Sequence, residues 1–114
     1  MTFRCARAVL LIKDRLSNSW REETVELDSV VALRGIFHPH EGKVEQIDID
    51  RNRKIYTCIE FLDVRTGIDA KFLDRDGALQ ILVSPILLVH CDEEKPIDMT
   101  DDVLRSMKEM IDFS

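Results

Sequence analysis

Residues 44–62 read VEQIDIDRNRKIYTCIEFL, and this stretch decides the fold. Ile47 and Ile49 alternate with acidic and amide side chains, which is the pattern of a β-strand with one buried face. Residues 51–53 are typical of a turn, and residues 54–62 are rich in the β-branched and aromatic side chains that favour strands. The stretch therefore predicts an antiparallel β-hairpin.

Four more segments carry a strand pattern: residues 3–13, 23–28, 68–72 and 79–89. Residues 3–13 fit a helix as well, and the strand is favoured because Ser17–Ser19 can turn the chain into the next extended segment. In the last segment Ser84 and Pro85 divide the apolar residues. Since proline has no N–H to donate to a ladder, we expect two short strands there or one bulged edge strand.

The C-terminal residues predict a helix over about 101–112. Thr100 can cap its N-terminus, and Asp101 and Asp102 fall in the first turn, where the helix dipole favours acidic side chains. Apolar side chains then recur on one face at helical spacing: Val103, Leu104, Met107, Met110 and Ile111.

These elements predict an α+β fold in a single domain, residues 1–114, with strands within about 3–91. Short connections favour an antiparallel β meander of five to seven strands followed by one C-terminal helix. Several strands are apolar on both sides, and one helix cannot cover both faces of a sheet. We therefore expect a small barrel or strongly curled sheet that self-associates as a homo-oligomer, most simply a dimer. The residues predicted at the dimer interface are Leu82, Leu87, Val89, Met107 and Met110.

Composition narrows the range of functions. The chain has 16 basic and 22 acidic residues, a net charge of −6, which argues against binding along a nucleic-acid backbone. We expect neither a signal peptide nor a membrane span, because the apolar runs are too short or too interrupted. Three widely spaced cysteines do not suggest a disulfide framework, so we expect free thiols and a cytoplasmic location.

Two groups of residues are candidates for chemistry. His38 and His40 can point to one side of an extended segment and are candidate metal ligands, although a solvated surface turn explains them as well and no metal is expected. Glu60 lies in the most apolar strand and is the candidate catalytic acid or base, because a buried carboxyl group holds its proton more tightly. Asp48 and Asp50, on the partner strand, are its candidate carboxylate neighbours.

A third group is a candidate for ligand or nucleic-acid binding. Arg51 and Arg53 form a basic hairpin turn, and Tyr56 follows them. A basic loop next to an aromatic residue is a minimal feature of oligonucleotide-binding barrels. The neighbouring segments are acidic, however, so nucleic-acid binding is not the favoured interpretation.

The sequence shows no diagnostic catalytic constellation, so we lean against an enzyme and expect no cofactor. The favoured interpretation is a small cytosolic interaction or regulatory module that self-associates and binds another protein. A small enzyme or ligand-binding protein with a pocket between sheet and helix is the first alternative. An oligonucleotide-binding barrel is the second. The substrate or partner, the biological process and the strand order are not determined by the sequence.

Overall fold

The computed structural model describes residues 6–14, 16–27, 36–37, 43–58, 68–93 and 95–113. The first eight strands in this part of the chain are β1 (Ala6–Asp14), β2 (Ser19–Leu27), β3 (Val44–Asp48), β4 (Arg53–Cys58), β5 (Ala70–Leu73), β6 (Leu79–Leu82), β7 (Ile86–Asp92) and β8 (Lys95–Ile97). Helix α1 (Asp101–Met110) follows, and the short strand β9 (Ile111–Asp112) comes directly after it. Ile36 and Phe37 are also helical.

The larger of two sheets has the strand order β2-β1-β7-β4-β3, and β8 also pairs with β7. Every pairing between these strands is antiparallel. The structure thus confirms the antiparallel α+β fold and the C-terminal helix. The expectation of a small barrel is wrong, because β2 and β3 lie at opposite edges of the larger sheet and no described strand joins them.

Strand β7 lies at the centre of the larger sheet. A simple meander, in which strands follow one another in chain order, would place it near an edge. Residues 86–88 pair with β1, and residues 87–90 pair with β4 on the other side. Residues 90–92 of β7 pair with β8, which lies on the same side of β7 as β1. Ile86, Leu87 and Leu88 are fully buried although they point alternately to both faces. An apolar run without alternation is typical of a central strand that is covered on both sides.

The smaller sheet has the order β6-β5-β9, and together with α1 it covers one face of the larger sheet. The helix is shorter than predicted, because Ile111 leaves it to pair with Phe72 of β5. The core between these layers contains Ile47 and Ile49, as predicted. Its other buried members are Val9, Leu11, Ile55, Ala70, Phe72, Leu82, Ile86, Leu88, Met107 and Ile111.

A second buried cluster lies on the opposite face of the larger sheet. Its members are Ala8, Leu10, Leu27, Phe37, Cys58, Leu87 and Val89. The two clusters confirm that several strands are apolar on both sides. On the first face the cover comes from the chain's own second sheet and helix, which is why no barrel closure is needed there. Within the described residues, no helix has the length and apolar character needed to cross a membrane.

Candidate functional site

Strand β2 forms an open edge of the larger sheet. It is nine residues long and pairs with β1 throughout, from Ser19 opposite Asp14 to Leu27 opposite Ala6. Its other side pairs with no strand in the described part of the chain. Most of its side chains are exposed. An edge of this kind presents a row of backbone N–H and C=O groups that another extended chain can bind.

A groove runs between β2 and helix α1. One part is a cavity of about 510 Å³ between Thr24 of β2 and Asp101 at the start of the helix. The other part, of about 480 Å³, reaches Phe113 beyond the end of the helix. Glu22 and Leu104 line both parts, so the two lie next to each other. We call them together the β2–α1 groove.

Backbone contacts fix the start of α1 to the start of β1. The N–H of Arg7 donates to the carboxylate of Asp98 at 2.9 Å, and the N–H of Met99 donates to the carbonyl of Arg7 at 2.8 Å. Thr100 then caps the helix, because its hydroxyl oxygen accepts a hydrogen bond from the N–H of Val103. These contacts set the width of the β2–α1 groove at this end.

Side-chain contacts define the groove towards the end of α1. Lys108 of the helix forms an ion pair with Glu22 of β2. The ring of Trp20 packs edge-on against the ring of Phe113, with 5.2 Å between their centroids. Leu104 and Phe113 are partly buried and pack against the core. The groove therefore has apolar side chains at its base and charged side chains at its rim.

Known proteins offer no guide to what this groove does. No family model, no curated protein and no solved structure matches the chain. The function is therefore inferred from the β2 edge and the β2–α1 groove. The first alternative drawn from the sequence included a pocket between sheet and helix, but none of the described residues that line this groove was among its candidates, and the β2 edge was not singled out. The usable signal was the polar character of residues 19–27, which alternate poorly and carry charges on both sides. That composition is typical of an edge strand.

Arg53, a predicted nucleic-acid contact, instead supports the far side of α1. Its Nε and Nη2 donate to one carboxylate oxygen of Asp50, at 2.8 and 2.6 Å. Its Nη1 donates to Ser106 Oγ at 3.1 Å and lies 3.7 Å from the sulfur of Met110. The guanidinium group is held inside the protein by these contacts, which indicate a structural role.

The other two predicted nucleic-acid residues lie in separate environments. Arg51 lines a small open pocket whose walls include the acidic residues Asp50 and Glu93. Tyr56 is half-buried, and its hydroxyl donates to Gln46 Oε1 at 3.2 Å. Burial raises the pKa of the Tyr56 hydroxyl. Neither environment favours a phosphate group, because acidic side chains lie beside both residues.

The predicted metal ligands His38 and His40 and the predicted acid or base Glu60 lie outside the described residues. Asp50, an expected neighbour of Glu60, accepts the hydrogen bonds of Arg53. Partial burial opposes the ionisation of Asp50, but these hydrogen bonds outweigh it and hold its pKa below the usual value. Among the residues that the structure describes, no group of three or more histidine, cysteine or acidic side chains is arranged to hold a metal ion.

Most of the predicted interface residues belong to the core of the chain itself. Leu82, Leu87, Val89 and Met107 are buried, because their side chains fill the two clusters that flank the larger sheet. They therefore offer no surface to a second copy. Met110 is 43% exposed at the end of α1. The dimer itself stays a prediction.

Cys58 and Cys91 are both buried. Cys58 lies in the second cluster, and Cys91 lies near the end of β7. Burial raises the pKa of the Cys91 thiol, which donates to the carbonyl of Arg51 at 3.4 Å. A thiol of this kind is a poor nucleophile, so Cys91 fits a structural role.

Asp69 is a buried polar residue that the strand pattern placed wrongly. Alternation over residues 68–72 predicts an outward side chain, whereas the structure buries Asp69 completely. Its carboxylate accepts the N–H of Ser84 at 2.8 Å, and the ammonium group of Lys13 lies 3.8 Å away. The backbone N–H of Lys13 in turn donates to Ser84 Oγ at 2.9 Å. This network joins β1 to the connection between β6 and β7.

Proposed function

We propose that this protein is a small protein-interaction module, and that it binds an extended segment of a partner protein as a strand added to β2. The observation that carries the proposal is that the open edge of β2 lies directly beside the β2–α1 groove. An added strand would bond to the backbone groups of β2 that pair with no strand in the described part of the chain. Every second side chain of that strand would point to the face on which α1 lies.

The strand register supports this geometry. Glu22 and Thr24 of β2 stand opposite Leu11 and Val9 of β1, and cross-strand partners share a face of the sheet. Leu11 and Val9 belong to the core that α1 covers. Alternate side chains of a strand added beside β2 would therefore reach Leu104 and the other apolar groups at the base of the groove.

The charges of this region indicate the chemistry of the segment. Strand β2 carries three glutamates, Glu22, Glu23 and Glu26, and one arginine. Asp98 and Asp101 add two more carboxylates at the end of the groove where the helix begins. Glu22 and Glu26 point to the groove face, because they stand opposite Leu11 and Arg7 of β1. In a segment that alternates basic and apolar residues, lysine side chains that point into the groove would lay their aliphatic stems on its apolar base and their ammonium groups at its acidic rim.

We also propose that the module acts in the cytoplasm. The thiol of Cys91 supports this location, because it is buried and bonded to the carbonyl of Arg51, and a reducing compartment keeps such a cysteine in the thiol form.

A titration with two synthetic peptides tests the binding mode. Isotope-labelled protein is mixed with a peptide of alternating lysine and valine, or with one of alternating glutamate and valine and the same length. We expect the lysine peptide to shift amide resonances of β2 and α1, with an affinity that falls as salt is added. Shifts confined to other strands, or equal binding of both peptides, would show that the proposal is wrong.

A pair of charge reversals makes the test specific. Glu26→Lys reverses one exposed charge of β2 on the groove face and should weaken binding of the lysine peptide about fivefold. Glu45→Lys is the matched control, because Glu45 is an exposed glutamate on β3 at the opposite edge of the same sheet. Equal losses in the two proteins would point to net charge, and not to the β2 edge.

A further inference from the structure

The smaller sheet exposes two leucines that lie side by side on adjacent strands. Leu73 of β5 and Leu79 of β6 are cross-strand partners, and they are 62% and 59% exposed. Lys71 and Ile81 form the next pair on the same face. The opposite face of this sheet carries the buried residues of the core. We call the surface formed by Lys71, Leu73, Leu79 and Ile81 the outer face.

We infer that a second copy of this chain covers the outer face in a two-fold dimer. A closed two-fold contact needs a surface that is complementary to itself. The rotation axis would lie between the two outer faces, parallel to the sheets and perpendicular to the strands, and would pass through the leucine pair. It brings each leucine against the same leucine of the other copy. The exposed apolar centre of one copy is then buried by the identical centre of the other, which is favourable.

The charges around the leucine pair fit the same axis. One side of the leucine pair holds Lys71, two residues before Leu73 on β5, and Asp112, the cross-strand partner of Lys71 on β9. On the other side lies the turn after β5, with Arg75 and Asp76 exposed. The axis places Lys71 and Asp112 of one copy on the same side as Arg75 and Asp76 of the other. Each side holds one acidic and one basic residue, so the two sides are complementary in charge.

This dimer is separate from the binding of an extended segment proposed above. The outer face belongs to the smaller sheet, whereas the β2–α1 groove is lined by β1, β2, α1 and the residues at the two ends of the helix. Each copy would keep its own β2 edge. The dimer would therefore carry two binding edges.

Sedimentation velocity over a wide range of protein concentrations tests the inference. We expect the natural chain to form a dimer that dissociates on dilution. Leu73→Lys and Leu79→Lys each place two like charges across the axis and should raise the dissociation constant about tenfold or more. Leu16→Lys is the matched control, because Leu16 is a completely exposed leucine in the turn between β1 and β2. It should leave the dissociation constant unchanged.

A charge exchange gives a second, independent readout. Lys71→Asp should weaken the dimer, and the double variant with Asp76→Lys should restore most of the affinity. A chain that is monomeric at every concentration, or a dimer that neither leucine substitution affects, would overturn the inference. Binding of the lysine peptide to the Leu73→Lys protein is measured alongside. If that binding persists while the dimer is lost, the two proposals are shown to be independent.

Discussion

Arg53 Nη1 lies 3.1 Å from Ser106 Oγ, so one side chain joins the start of β4 to a helix 53 residues further along the chain. The same guanidinium group binds Asp50 through two other nitrogen atoms. The contact fixes α1 from the side that faces away from β2. The width of the β2–α1 groove therefore depends on a residue that lines neither part of it.

Replacement of Arg53 tests this contact. We expect Arg53→Ala to lower the free energy of unfolding by about 1.5–3 kcal/mol, the usual range for hydrogen bonds of a charged group. Arg51→Ala removes an exposed arginine from the turn before β4 and should change the free energy of unfolding by less than about 0.5 kcal/mol. Urea denaturation of the two variants measures the difference. Equal losses would mean that Arg53 does not hold the helix.

The buried carboxylate of Asp69 gives a second prediction. Asp69→Ala leaves the N–H of Ser84 and the charge of Lys13 without this partner, and should cost about 3 kcal/mol or more. Asp69→Asn keeps an acceptor for the N–H and should cost less. Asp92→Ala, at an exposed position at the end of β7, is the control. If Asp69→Ala unfolds at the same urea concentration as the control, the network is not a stabilising one.

The two methionines of α1 test how the helix packs. Met107 is completely buried in the core, whereas Met110 is 43% exposed one turn later. Met107→Ala should lower the free energy of unfolding by about 2–5 kcal/mol, because it leaves a cavity. Met110→Ala should lower it by less than about 1 kcal/mol. Thermal unfolding of the two variants measures the difference. A larger loss for Met110→Ala than for Met107→Ala would mean that the helix is rotated about its axis.

Three aspartates make the stability of the fold depend on pH. The backbone N–H of Leu16 holds the pKa of Asp14 below its usual value of 3.8, and the side-chain amide of Gln80 does the same for Asp74. Asp50, bound by Arg53, is the third aspartate with a lowered pKa. All three take up protons less readily in the folded chain than in the unfolded chain. Their contribution to stability is therefore complete above pH 3.8 and is lost as the pH falls through the lowered values.

We accordingly expect a melting temperature that is level near neutral pH and falls below about pH 4. Asp74→Asn removes one of the three titrating groups, so its melting temperature should fall less steeply in acid than that of the natural chain. Calorimetry across this pH range measures both curves. Parallel curves would show that Asp74 does not contribute to the acid sensitivity.

Local patterns predicted the elements that depend on local interactions. The hairpin of β3 and β4 followed from alternation around Ile47 and Ile49, and the helix followed from Thr100 and the spacing of the apolar residues after it. The prediction of a barrel was wrong because one face of the larger sheet is covered by a small sheet that includes β9. A two-residue strand after a helix has no pattern that could reveal it.

Contacts between distant residues were the part that the sequence could not supply. Arg53 looked like a surface residue, since its partner Ser106 lies in another element. Asp69 looked like an outward residue, because the network that it forms with Lys13 and Ser84 depends on how β1 and β7 are placed. The open edge of β2 likewise depends on strand order, which alternation along one strand does not determine.

The central position of β7 affects how the protein must be made. The hairpins β1–β2 and β3–β4 emerge first from the ribosome, but the strand that joins them is residues 86–92. Until that strand is synthesised, each hairpin has apolar faces that its final neighbours do not yet cover. The nascent chain therefore depends on fast completion, or on chaperones, for protection from aggregation.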